Sequence, residues 1–141
     1  MNSAFRIWAS LVSLAIIVQV GLAAYGAFNA VDKSDDKGAI GKNAVSNGFD
    51  AHTVLGYAIV AAAIVLIVLA VATRRAAPSR LRWSGLVLGL LVVQILLAAA
   101  GDAAAWLGIL HGMNALAIAG FAGSLAGREW AAFRGATRPA P

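Results

Sequence analysis

The run AHTVLGYAIVAAAIVLIVLAVAT, residues 51–73, holds 23 positions without an Asp, Glu, Lys or Arg. At about 1.5 Å of rise per residue, a helix of this length spans about 33 Å, enough to cross a hydrocarbon core of about 30 Å. The run has no alternation of period two, and lipid offers no partner to a free backbone amide, so it reads as a transmembrane helix and not as a barrel strand. Working outward, uncharged runs also cover residues 7–31, 83–101 and 103–127. Apolar residues make up 61% of the chain, and helices apolar on every face leave too little polar surface for a water-soluble core. The expected fold is all-α, an integral membrane four-helix bundle in one domain over residues 1–141. Its spans are placed at about 6–29, 51–73, 83–101 and 103–127, with an external loop over 30–50 and a cytoplasmic tail over 128–141.

The first span, preceded by Arg6, is longer than the apolar region of a cleaved signal peptide and contains Gln19, so a retained helix is expected. All eight arginines, at 6, 74, 75, 80, 82, 128, 134 and 138, flank the ends of the spans on one side. The three lysines, Lys33, Lys37 and Lys42, share the first loop with Asp32, Asp35, Asp36 and Asp50 on the other. The positive-inside bias then puts both termini in the cytoplasm. The net charge of +5 follows from this arrangement. It points to the lipid bilayer and its anionic head groups as the partner, and away from nucleic acid.

Within the first loop, the acids from Asp32 to Asp36 suggest a calcium loop, but Lys37 and Asn43 stand where such a loop needs glycine and a bidentate glutamate. A solvated turn is expected instead. Asp50 precedes Ala51, His52 and Thr53, which makes it the expected N-cap of the second helix and places His52 in that helix's first turn.

The chain has no cysteine, which removes disulfides, iron–sulfur clusters, thiolate zinc sites and covalent haem attachment. Its only two histidines, His52 and His111, lie toward the same end of spans two and four. An ionisable residue within a span is by default a functional candidate. Two neutral imidazoles can ligate the two faces of one haem iron; equally, His52 can be wet at the interface and His111 can bond to Gln94, Asn114 or a carbonyl. Gly56 lies one turn after His52 and Ala115 one turn after His111, with Gly112 beside it, so a flat macrocycle would have room. The depths depend on the reference. His52 is 22 residues from Arg74, and His111 is 23 from Arg134 but only 17 from Arg128. The two are level only if span four continues as a helix past Trp130.

An internal repeat bears on the same point. A shift of 75 carries Gln19 and its Leu22-Ala23-Ala24 onto Gln94 and Leu97-Ala98-Ala99. A shift of 59 carries His52 onto His111, Ala58-Ile59 onto Ala117-Ile118 and Arg75 onto Arg134. The pattern is a glutamine helix followed by a histidine helix, twice and in parallel, or a chance match in an apolar alphabet. Gln19 and Gln94 are expected to bond between helices, either at a cofactor edge or as structural glue. Gly85 to Gly89 and Gly123 to Gly127 have the spacing of helix-packing motifs.

The run Val93-Gln94-Ile95-Leu96-Leu97, a turn, and Leu110-His111-Gly112 with Ala115 resembles helices three and four of a half-domain of the haem A synthase family. His52 stands where that family has its second-helix histidine. The resemblance implies a four-helix bundle with haem held near the outer face. The family's glutamate three residues before that histidine is Phe49 here, so the resemblance does not carry the family's oxidation chemistry across. The signature Phe49-Asp50-x-His52-x-x-x-Gly56 is also similar to small four-span proteins of the bacterial cytoplasmic membrane. The expectation is a b-type haem protein with His52 and His111 as metal ligands and Gly56, Gly112 and Ala115 around the macrocycle. It would transfer or sense electrons with a respiratory or other redox partner in the membrane, as a monomer or homo-oligomer, with no catalysed reaction assigned. The alternative is a cofactor-free subunit or scaffold. A transporter is disfavoured because none of the three prolines interrupts a span.

Overall fold

A computed structural model describes residues 1–34, 38–101 and 103–136. Asp35, Asp36, Lys37, Asp102 and the end of the tail, Arg138 included, lie outside the described residues, and with them most of the calcium-loop acids. The described chain forms four helices, α1 (Asn2–Asp32), α2 (Lys42–Ala72), α3 (Ser79–Gly101) and α4 (Leu107–Ala136), with no strand among the described residues. All four are long and apolar enough to cross a membrane. The protein is a multi-pass membrane protein built as a four-helix bundle.

Consecutive helices pair as hairpins, α1 with α2 and α3 with α4, and the hairpins meet through α1 on α4 and α2 on α3. The diagonal pairs α1/α3 and α2/α4 do not touch along their backbones among the described residues. The buried positions obey the two sequence shifts. Phe5, Ala9, Val12 and Ile16 of α1 correspond to Arg80, Ser84, Val87 and Leu91 of α3, each 75 residues on, and all eight are buried. Ile59, Ala63 and Leu66 of α2 correspond to Ile118, Ala122 and Leu125 of α4, each 59 residues on, again all buried. Spacings of three and four residues keep each set on one helix face. The two hairpins therefore present equivalent faces to one core, as parallel repeats do.

Two expectations are corrected. Helix α2 begins at Lys42, after Gly41 in an extended conformation, and not at Ala51. Asp50 is an exposed residue inside the helix and caps nothing, and His52 lies in its third turn. Tertiary contact supplies the reason. At Gly26 and Gly48 the backbones of α1 and α2 meet so closely that a Cβ on Gly48 would stand 2.9 Å from the Gly26 carbonyl oxygen. Asn29 Nδ2 donates to the Ala44 carbonyl at 3.3 Å across the same crossing. Residues 42–50, polar by composition, are thus held helical against the last turns of α1. The connection between α1 and α2 is correspondingly shorter than 30–50.

The glycine pairs with packing-motif spacing do not act as close-packing sites within the chain. A Cβ at Gly85, Gly89 or Gly127 meets nothing within 4 Å, and one at Gly123 meets only Ser13 Oγ at 3.8 Å. The arginine end is closed by side chains. Arg80, beside the Phe5 ring, donates to both carboxylate oxygens of Glu129 at 2.9 and 2.6 Å and to Asn2 Oδ1 at 2.8 Å. Arg6 lies over Phe133 and Trp130, and Arg128 over Trp83.

Candidate cofactor site

Helix α4 is continuous through Trp130 to Ala136, which selects the longer of the two depth counts and makes the histidines level. The His52 and His111 rings are 6.5 Å apart between centroids, tilted by 57°, and approach across the bundle from the diagonal helices α2 and α4. Each imidazole is held in the same way. His52 Nδ1 lies 3.1 Å from the carbonyl oxygen of Gln19, and His111 Nδ1 lies 3.2 Å from that of Gln94. A carbonyl only accepts, so each Nδ1 carries a proton and donates it, and Nε2 is the ring nitrogen that can serve as a ligand. A histidine that ligates a metal is commonly oriented by this kind of bond.

The residues one turn beyond the glutamines explain how imidazoles reach helix carbonyls at all. A helical side chain covers the turn preceding its own Cα, so Ala23 and Ala98 lie over the Gln19 and Gln94 carbonyls and leave them open. The two alanines are related by the shift of 75. The glutamine side chains bond between helices, as expected. Gln19 Nε2 donates to the His52 carbonyl at 2.7 Å, and Gln94 Oε1 accepts from Asn114 Nδ2 at 2.7 Å.

The imidazoles border a cavity of about 650 Å³ between the two hairpins, lined by Gln19, His52, Gly56, Gln94, His111, Gly112 and Ala115 with an otherwise almost wholly apolar wall. Its volume is in the range of cofactor sites. Gly112 faces open space. Gly56 has a second role that spacing alone does not reveal, because a Cβ there would stand 3.1 Å from Gln19 Nε2. Its lack of a side chain admits the glutamine amide as well as enlarging the slot. At the rims, repeat-related residues are equally exposed: Val20 and Ile95 at 44% and 42%, Tyr57 and Leu116 at 66% and 69%. The slot follows the pseudo-twofold symmetry of the fold. Counting 13 residues from Arg6 to Gln19 and 14 from Arg80 to Gln94 puts it about 20 Å along the bundle from the arginine end. This lies within a hydrocarbon core of about 30 Å and toward its far side.

No family model, curated protein or solved structure matches the chain. Among the described residues no group of three or more His, Asp or Glu side chains gathers to hold a bare metal ion, so the donor set consists of the two imidazoles. Two imidazoles could hold one metal atom between them where their ring centres lie about 6 Å apart. The ring centres of His52 and His111 lie 6.5 Å apart. A metal that brings its own planar ligands suits two such donors in an apolar slot, whereas a naked cation would need more of them.

Two features escaped the sequence reading. The Arg80–Glu129 pair joins helices 49 residues apart, and no local pattern links them. Phe49 packs edge-on to the His52 ring at 6.0 Å, which a helix beginning at Ala51 would not have suggested.

Proposed function

We propose that the slot binds b-type haem, with His52 and His111 as axial ligands from the two hairpins, in a protein of the bacterial cytoplasmic membrane that passes or senses electrons near the outer face. The observation that carries this reading is the pair of Nδ1-anchored imidazoles, 6.5 Å apart, on one apolar slot. The group would supply a reversible one-electron change at iron. The chain's own part is to orient both imidazoles through their Nδ1 bonds, line the slot with apolar walls and leave space at Gly56, Gly112 and Ala115. Placement of both termini in the cytoplasm rests on the arginine distribution and turns the histidine end outward. The likeness to a haem A synthase half-domain supports the same ligand pair. With Phe49 in the place of that family's glutamate, we assign no oxidation reaction.

A second reading is favoured by one observation: both imidazoles already donate to a carbonyl, so the bundle tolerates them without iron. On that reading the protein is a cofactor-free subunit or scaffold. Absorption spectra of the detergent-purified protein, expressed with ample haem, separate the two. The haem reading expects the sharp visible bands of a low-spin b-type cytochrome on reduction. A colourless protein moves the assignment to the cofactor-free subunit.

A further inference from the structure

A second cavity, of about 520 Å³, lies at the arginine end between the start of α1 and the turn after α2. Asn2, Thr73, Arg74 and Arg75 form its polar side, and Met1 and Val71 contribute to its apolar side. Four of the seven described arginines at this end are already engaged. Arg80 is paired with Glu129, Arg6 lies on Phe133 and Trp130, Arg128 lies on Trp83, and Arg134 also has an interaction. The exposed side chains of Arg74 and Arg75 make no hydrogen bond, ion pair or ring contact with any described residue. Glu129, the chain's one glutamate, is consumed by Arg80, and Asn2 is turned to the same guanidinium through its Oδ1. Thr73 donates its hydroxyl to the Leu69 carbonyl. The cavity thus carries two adjacent guanidinium groups, beside the Met1 ammonium, with no carboxylate on its wall.

We propose that this cavity binds the phosphate of one anionic phospholipid, with Arg74 and Arg75 on the phosphodiester and the Met1–Val71 side against the glycerol and the first acyl carbons. Guanidinium forks match phosphate oxygens in two-point hydrogen bonds. Position agrees with this chemistry, because the two arginines directly follow the apolar run of α2, at the depth where phosphates lie. The apolar side favours a lipid over free phosphate. The same end carries Arg82, exposed and equally without a partner among the described residues but outside the cavity, as a built-in comparison. The inference does not rest on the haem reading.

The test is native mass spectrometry of the full chain released from detergent containing equal amounts of phosphatidylglycerol and phosphatidylcholine. Wild type should retain one phosphatidylglycerol in preference. The double variant Arg74→Gln/Arg75→Gln should lose that preference several-fold, while Arg82→Gln keeps it. Arg74→Lys/Arg75→Lys, which preserves the charge and is the milder change for folding, should weaken the preference without abolishing it. Helical circular dichroism and elution volume check that each variant is folded. Equal retention of the two lipids by wild type, equal loss in Arg82→Gln, or an unchanged double variant would overturn the proposal. Displacement of the lipid by millimolar inorganic phosphate, or its replacement by a co-purifying acidic protein, would also overturn it.

Discussion

Hairpin α1–α2 and hairpin α3–α4 bury corresponding positions, yet at the arginine end they fill two of them with opposite chemistry. Phe5 and Ala70 of the first hairpin, both at 0% exposure, lie in an apolar cluster that Leu125 and Ala126 of α4 complete. The corresponding residues of the second, 75 and 59 positions on, are the buried Arg80 and the half-buried Glu129, which form an ion pair. One backbone geometry therefore accommodates either an aromatic ring or a guanidinium–carboxylate pair. What these two positions require is that the volume be filled and a buried charge be paired. At the histidine end the hairpins agree where the cofactor would sit and differ around it. Both anchor an imidazole on a glutamine carbonyl, but only the second supports its glutamine with an asparagine. The first has Leu55 where the second has Asn114, and Gln19 Oε1 is left buried without a hydrogen-bond partner among the described residues. The hairpins also differ in length. Gln19 and His52 are 33 residues apart and Gln94 and His111 are 17 apart, so the first hairpin carries 16 more. These residues extend α1 and α2 beyond the slot and meet at Gly26 and Gly48.

The largest effect should come from the shared feature. On the haem reading, His52→Ala/His111→Ala should abolish haem retention, read from the visible spectrum of the purified protein. His111→Ala alone should cost more than His52→Ala, because the carbonyl platform of His111 is the one braced by Asn114. His52→Ala should leave a five-coordinate centre. The next effect tests the exchanged pair. Glu129→Ala strands a buried guanidinium and should destabilise the bundle by about 3–5 kcal/mol. Adding Arg80→Phe, which gives the second hairpin the residues of the first, should recover most of that loss in the same denaturation series. A double variant no more stable than Glu129→Ala would show that the two hairpins are not interchangeable there.

A smaller effect is expected where the hairpins are unlike in length. Gly48→Ala drives a Cβ to 2.9 Å from a backbone oxygen of α1 and should cost about 1–3 kcal/mol, whereas Gly108→Ala at the top of the second hairpin meets nothing and should be nearly neutral. The smallest is Asn114→Leu, which copies the first hairpin. It removes the bonds to Gln94 Oε1 and the Leu90 carbonyl and should cost about 1 kcal/mol in the same denaturation series.

The sequence made the spans, the repeat and the His52/His111 pairing legible because each is written in residue identity: charge-free length, Gln on Gln, His on His. The level of the two histidines was not legible. It depended on whether α4 continues through Arg128 and Trp130, and that is decided by contacts such as the Trp130 Nε1 bond to Ser10 Oγ, 120 residues away. The start of α2 was misread for a related reason. Asp50 has the chemistry of an N-cap, but the Gly26–Gly48 crossing rewards two more turns of helix, and packing outweighs a local signal. The Arg80–Glu129 pair lay beyond the expected end of span four, where a glutamate reads as a tail residue. The role of Gly56 was half legible: its place on the histidine face follows from spacing, its contact with Gln19 only from the fold.

The central claim is that one pseudo-symmetric slot takes one imidazole from each hairpin to one metal centre. Electron paramagnetic resonance of the ferric protein, with haem and protein quantified in the same sample, tests it directly. The account predicts one haem per chain and a single low-spin signal of bis-imidazole type, converted to a high-spin signal by His52→Ala. No bound haem, two haems per chain, or a signal unchanged when either histidine is replaced would contradict it.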